Sequence, residues 1–500
     1  MTERSTLRLT AAALPRLRER GEVAVPDYDR SAITAGIAHV GVGGFHRAHQ
    51  AKAIDDLLRA GLARDWGIVG IGLMPGDAAM RDALAAQDHL YTLVEKRGDT
   101  DLQARVIGSI VDYLFAPEDP GVVLERLADP AIRIVSLTVT EGGYNINQVT
   151  GEFMLDDPHV AHDLGSEVPE TVFGYITAAL RLRRERGIRP FTVMSCDNLQ
   201  DNGVVARRAI LTFARAKDPE LADWIGAHVA FPNSMVDRIT PVTTDADRAA
   251  LADGFGIEDA WPVVAEPFFQ WVLQDTFTDG RPPYEEAGVQ VVTDVTPYEL
   301  MKLRLLNSSH QGLCYFGALM GYHYAHDATM NPLVSRLLLE YMEREAGPTL
   351  RPIPGIDLEV YRPQLIERFS NPAIGDTVAR LCAESSDRIP KWLLPVVREQ
   401  LERPDPQVAL SAAIVASWAR YAEGVDEQGR PIDVVDRLKE RVMAAAARQG
   451  EDPLAFLRDE ELFDDLADRP AFTGPYLRAL GLLHEVGAEK TLEAVLDDLP

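Results

Sequence analysis

Residues 37–58, "IAHVGVGGFHRAHQAKAIDDLL", read as an apolar strand, a tight turn at Gly41, Gly43 and Gly44, and a helix running through Asp55. Glycine lets the backbone of such a turn approach a pyrophosphate closely, and the first amides of the helix point at the anion. His46 stands where the third glycine of G-x-G-x-x-G would be. An ordinary strand-turn-helix fits the same letters, so the stretch fixes a local fold more firmly than a ligand.

The same texture continues outward. Short β-branched runs recur at 67–73 (GIVGIGL), 132–140 (IRIVSLTVT), 191–196 (FTVMSC) and 289–295 (VQVVTDV), separated by amphipathic segments. Apolar runs of that length read as buried strands of a mostly parallel sheet. Beyond Pro297 the period changes to that of helices, as in "NPLVSRLLLEYMEREAG" (331–347) and "DVVDRLKERVMAAAARQG" (433–450). An α/β domain over 1–295 followed by a mostly α-helical domain over 296–500 is therefore expected.

Composition excludes several classes of partner. A net charge of −27 repels polyanions, and no basic stripe interleaved with aromatics offsets it, so neither nucleic acid nor an anionic membrane surface is expected. No run approaches the roughly 18 apolar residues a spanning helix needs. The N-terminal "MTERSTLRLTAAALPRLRERG" is poor material for a secretory segment. Cys196, Cys314 and Cys382 lie far apart in sequence, form no C-x-x-C pair and fit a reducing cytoplasm.

The chemistry concentrates in "ELMKLRLLNSSHQGL", residues 299–313. At about 100° per residue, Glu299 falls about 60°, His310 about 80° and Asn307 about 140° from Lys302, all toward one side of a helix. Leu303, Leu305, Leu306 and Met301 occupy most other directions, so the amine is expected to be buried. Burial disfavours the ammonium form, which makes Lys302 a general base for removing an alcohol proton as hydride leaves the same carbon. Asn307 would offer an amide N–H to the oxygen that becomes a carbonyl, and His310 would hold that oxygen or its neighbour. Glu299, one turn earlier, would carry the proton onward to water. A buried Lys–Glu pair with Asn and His satisfying backbone groups is the structural alternative, and four polar groups on one arc favour function. Tyr298-x-x-x-Lys302 imitates the tyrosine–lysine pair of short-chain dehydrogenases, but it lies some 250 residues beyond the glycine turn and begins a helix after Pro297.

Other polar residues carry two readings each. Asp77 in "LMPGD" either accepts hydrogen bonds from an adenosine ribose or caps the next helix, and nearby Arg81 would favour a 2′-phosphate. The i, i+3 pairs His46/His49 and His323/His326 have metal-compatible spacing but no cysteine or carboxylate company, so packed imidazoles and no metal are expected.

K-x-x-x-x-N-x-x-H, filled by Lys302, Asn307 and His310, resembles the signature of the polyol-specific long-chain dehydrogenases, the mannitol dehydrogenase family. "GVGGFHRAHQ" (41–50), "SLTVTEGGYN" (136–145), "VMSCDN" (193–198) and "FPNSMVDRITP" (231–241) look like family blocks in family order. The resemblance implies an expanded Rossmann-type N-terminal domain binding NAD(P), a helical substrate and catalytic domain, and zinc-independent oxidation of a secondary alcohol. It assigns the base to Lys302, the oxyanion amides to Asn307 and Asn198, and substrate orientation to His310. Asp237 and Arg380 match readers of substrate hydroxyls, although Asp237 could instead pair with Arg238 and Arg380 could be a surface helix residue. Gly43, Gly44, Phe45, His46 and Arg47 match the cofactor turn, with NAD preferred and NADP not excluded.

Within the family, "TEGGYNINQVTGEF" (140–153) looks most like the branch that interconverts D-mannitol and D-fructose. Mannonate/fructuronate is the runner-up, with Lys391 or Arg388 available to a carboxylate, and arabinitol or sorbitol oxidation also fits. A non-catalytic dinucleotide-binding protein is the alternative from another class. A monomer is expected.

Overall fold

In the computed structural model, residues 6–98, 101–147 and 151–499 are described. Residues 1–5 of the N-terminal segment and 148–150 of "TEGGYNINQVTGEF" lie outside them. The chain divides into two compact units, Met1–Val295 and Thr296–Pro500.

The first unit is built on five strands, β1 (Ala35–Val40), β2 (Gly67–Gly72), β3 (Ile110–Phe115), β4 (Ile134–Leu137) and β5 (Thr192–Ser195). They pair in the order β3-β2-β1-β4-β5, every pair parallel. Alternate residues of each strand feed two different cores. Ala38, Val40, Val135 and Val193 join one, while Ile37, Ile68, Ile134 and Met194 join the other. A sheet covered on both faces needs apolar residues at every position, which is why these strands read as continuous runs. The order reverses between β1 and β4, and ligands of open α/β sheets bind outside the strand ends at such a point.

A smaller sheet follows, in which β7 (Gln270–Gln274) pairs antiparallel with β6 (Ser234–Asp237) and parallel with β8 (Gln290–Val292). The Ser234 hydroxyl donates to the Ser195 carbonyl at 2.7 Å, tying β6 to the end of β5. After β1 the chain forms α1 (Gly44–Ala48), breaks at His49, and resumes as α2 (Gln50–Arg59).

The second unit is helical. It opens with α3 (Thr296–Met301), whose Pro297 sits where a missing amide costs nothing. The chain then widens into a π-turn, Lys302–Asn307, before α4 (Ser308–Met320). Around α4 pack α5 (Val378–Cys382) and the nearly all-apolar α6 (Ala409–Tyr421), which itself packs on α7 (Pro470–Glu485). Among the described residues, no helix is long and apolar enough to cross a membrane.

Candidate active site

In the first unit the glycine turn closes the end of β1. The Gly43 amide donates to the Gly41 carbonyl at 2.7 Å, and Gly41 adopts φ +91°. A Cβ there would lie 2.2 Å from the Thr138 carbonyl oxygen, so only glycine lets the ends of β1 and β4 come this close. The Thr138 hydroxyl donates to the Gly41 carbonyl at 2.8 Å, which locks the turn against β4.

His46 and Arg47 are each 1% exposed. The His46 ring stacks on His39 with centroids 3.4 Å apart, filling space that a third glycine would leave for close packing. Burial pushes the His39 imidazole down to about 3 and His46 well below its ordinary range, so both are neutral. The Arg47 guanidinium donates to the carbonyls of Gly43 and Trp261 and lies 5.2 Å over the Tyr91 ring. These two side chains support the turn from behind. Gly41, Gly43, Gly44 and Phe45 are the accessible members of the set.

Asp77 sits beyond β2, and its carboxylate accepts from the Met74 amide at 2.8 Å. The carboxylate thus closes the short turn Pro75–Asp77 and makes no side-chain cap on the helix Ala78–Ala85, which corrects the capping alternative. Arg81 is held by Asp82 and Glu118. His49 is hydrogen-bonded to the Gln270 carbonyl at 3.0 Å and stacks on Phe45. Among the described residues no group of three or more His, Cys, Asp or Glu could hold a metal.

Asn198 lies exposed just past β5, next to a residue that sequence reasoning passed over. The buried Asp197 carboxylate accepts from the amides of Val139 (3.2 Å) and Thr140 (2.8 Å) and from the Tyr144 hydroxyl (2.7 Å). Thr140 has φ +67° and ψ 169°, a region normally confined to glycine, so Asp197 holds a strained peptide at the end of β4. The signal was present in the adjoining blocks "TVTEGG" and "SCDN". Asp237 ends β6 and is buried. The Arg238 guanidinium lies elsewhere, on Glu95, the Ala48 carbonyl and the Glu266 carbonyl, which answers the alternative of an Asp237–Arg238 pair.

In the second unit Glu299, Lys302 and Asn307 are 4%, 8% and 6% exposed. The regular-helix arc drawn from sequence needs correction, because residues 302–307 form a π-turn. The Ser308 amide donates to the carbonyl of Leu303, five residues back. The wider turn brings Asn307 closer to Lys302 around the helix than the about 140° of a regular α-helix. His310 is partly accessible, and its ring lies 4.7 Å from that of Phe369. Burial, ahead of the charges of Asp376, Arg380, Arg368 and Arg388, lowers its pKa to about 3. Arg380 lies on α5, which packs against the helix α4 that carries His310. It is exposed, with its Nε 2.5 Å from Asp376 Oδ1.

Arg304, absent from the sequence reading, is buried with its guanidinium on Glu399 (2.6 and 2.9 Å) and the Thr349 carbonyl. Lys391 pairs with Asp387, and Arg388 donates to the Leu381 carbonyl.

A doubly covered parallel sheet with a glycine turn at its switch point, joined in sequence to a helical unit that buries a lysine and a carboxamide on one turn, defines a two-unit α/β protein of the dehydrogenase type. Residues 35–286 match the mannitol dehydrogenase Rossmann domain and residues 294–481 the mannitol dehydrogenase C-terminal domain. The chain belongs to the mannitol dehydrogenase family. It is 47% identical to mannitol dehydrogenase 2 of Saccharomyces cerevisiae, over 95% of both chains. It is 46% identical to Pseudomonas fluorescens mannitol 2-dehydrogenase, solved as a ternary complex with NAD and D-mannitol, with a TM-score of 0.85 over 99% of this chain and 100% of that one. A substrate-free D-sorbitol dehydrogenase matches at 40% identity and a TM-score of 0.90, over 97% and 100% of the two chains.

Proposed function

We propose that the protein is an NAD-dependent polyol dehydrogenase that interconverts D-mannitol and D-fructose, with Lys302 as general base. The observation that carries this reading is the burial of Lys302 and Asn307 at the two ends of one π-turn. A water-poor amine beside a carboxamide suits removal of a hydroxyl proton with stabilisation of the oxygen left behind.

The cofactor fits the residues present. The Gly41 turn leaves no room for a side chain, and the accessible Gly43 and Gly44 allow close backbone approach. Engagement of Arg81 by two carboxylates removes the cation that a 2′-phosphate would want, which supports NAD over NADP. When bound, NAD accepts the hydride. Lys302 takes the hydroxyl proton, and Glu299 passes it on toward solvent. Asn307 and Asn198 are assigned to the oxygen as it becomes a carbonyl, and His310, neutral at working pH, donates or accepts one hydrogen bond to orient the substrate. Asp237 and Arg380 are assigned to the remaining hydroxyls. No step draws on a metal.

Pairing of Lys391 with Asp387 weakens the case for a hexuronate carboxylate. The likeness to a D-sorbitol dehydrogenase supports a second substrate reading, because sorbitol and mannitol are epimers that give the same ketose. A monomer in the cytoplasm, with three free buried thiols, completes the reading. Initial rates of NADH and NADPH oxidation with fructose, fructuronate, xylulose and tagatose test it, with the product from fructose resolved into mannitol and sorbitol. Fructose with NADH is expected to be fastest and to yield mannitol. Preferential reduction of fructuronate would overturn the substrate.

A further inference from the structure

The helical unit contains a second π-turn, Tyr341–Ala346, and it packs against the first. A widened turn shifts carbonyls out of line with the amides of the next turn, and side-chain donors then add to or replace the backbone bonds. Two side chains supply such donors. The Ser308 hydroxyl donates to the Leu303 carbonyl at 3.0 Å, and the fully buried Tyr341 hydroxyl donates to the Arg304 carbonyl at 3.2 Å.

The second turn is itself anchored. The buried Glu345 carboxylate accepts from the amides of Leu410 (2.6 Å) and Ser411 (2.9 Å) at the start of α6, and Gln400 donates to the Glu345 carbonyl at 2.5 Å. The Gly347 amide donates to the Met342 carbonyl five residues back, and a Cβ on Gly347 would come within 2.7 Å of that oxygen. One widened turn therefore braces the other.

We propose that Tyr341 is a positioning residue for polyol oxidation: its hydroxyl holds the Arg304 carbonyl and so fixes the wide register that brings Asn307 round toward Lys302. Nothing in the chemistry needs Tyr341 to touch substrate or cofactor. Without its hydrogen bond, the turn relaxes toward α-helical pairing and Asn307 swings toward the roughly 140° separation of a regular helix. The inference rests on the roles proposed above for Lys302 and Asn307.

Tyr341→Phe removes only the hydroxyl. Expected are a fall in kcat of about ten- to a hundredfold, an NADH affinity and polyol KM near wild type, and a larger solvent isotope effect on kcat as proton transfer slows. Tyr315→Phe is the control. That tyrosine is also fully buried, on α4, with its hydroxyl 2.6 Å from both Gln311 Oε1 and Ser385 Oγ, and its loss should lower the melting temperature while leaving kcat and the isotope effect alone. Wild-type kcat in Tyr341→Phe, or equal losses in both variants, would overturn the proposal. A crystal structure of Tyr341→Phe decides the register claim without any turnover. Loss of the Ser308 amide bond to Leu303 supports the claim, and its retention contradicts it. A wild-type enzyme inactive on every ketose would sink the dehydrogenase reading instead.

Discussion

Lys302 and Asn307 are the first and last residues of one π-turn, and both side chains are buried. The local widening of the helix brings the amine and the carboxamide closer around the helix axis than regular spacing would. Asn307→Ala should therefore lower kcat by about a hundred- to a thousandfold, the loss typical of one oxyanion donor, with NADH affinity unchanged. Steady-state kinetics with NADH titrated by fluorescence measure both. A change confined to KM would mean that Asn307 only binds.

His310 should stay neutral across the working range. Its folded pKa of about 3 lies below the ordinary 6.5, so the folded state binds fewer protons between those values. The stability it contributes is fully present above pH 6.5 and is lost as the pH falls toward 3. Imidazole 15N shifts recorded from about pH 5 to 8 should show no titration. A midpoint near 6.5 would contradict the lowered pKa and make His310 a candidate for the acid limb of the rate profile.

Glu345 has the opposite sign. Burial raises its carboxyl from 4.5 to about 7, so the folded chain holds the proton more tightly than the unfolded one. The corresponding stability is present below about pH 4.5 and is lost as the pH rises through 7, a difference on the order of 3 kcal/mol. Denaturant melts of Glu345→Gln should lack this pH-dependent component. An unchanged pH dependence in the variant would show that other groups carry it.

Gly41→Ala tests the cofactor turn. The new methyl would meet the Thr138 carbonyl in a backbone conformation of positive φ, costing about 1–3 kcal/mol and opening the gap between the ends of β1 and β4. NADH affinity should fall by at least about tenfold while the secondary structure persists by circular dichroism. Wild-type NADH affinity would move the cofactor elsewhere.

The parallel sheet was legible because strands covered on both faces must be apolar throughout, as 67–73 and 132–140 are. Lys302, Asn307 and His310 were legible because polar groups in an otherwise apolar helix demand a reason. The π-turn was not, since an inserted residue leaves the composition of a helix unchanged and appears only when carbonyls such as those of Leu303 and Arg304 are matched to their donors. For the same reason Tyr341 and Asp197, which act on backbone groups distant in sequence, left no periodic trace. The inward turn of His46 and Arg47 was hidden because a charged residue beside a glycine turn looks the same whether it faces ligand or core.

The most direct test of the central claim is Lys302→Ala, assayed for single-turnover oxidation of mannitol and for NADH binding in parallel. Loss of the base should slow turnover by orders of magnitude, remove the acid limb of the pH profile and leave the NADH dissociation constant within about twofold of wild type. Turnover near the wild-type rate with the acid limb intact would mean that another group takes the proton, and the account built on Lys302 would be wrong.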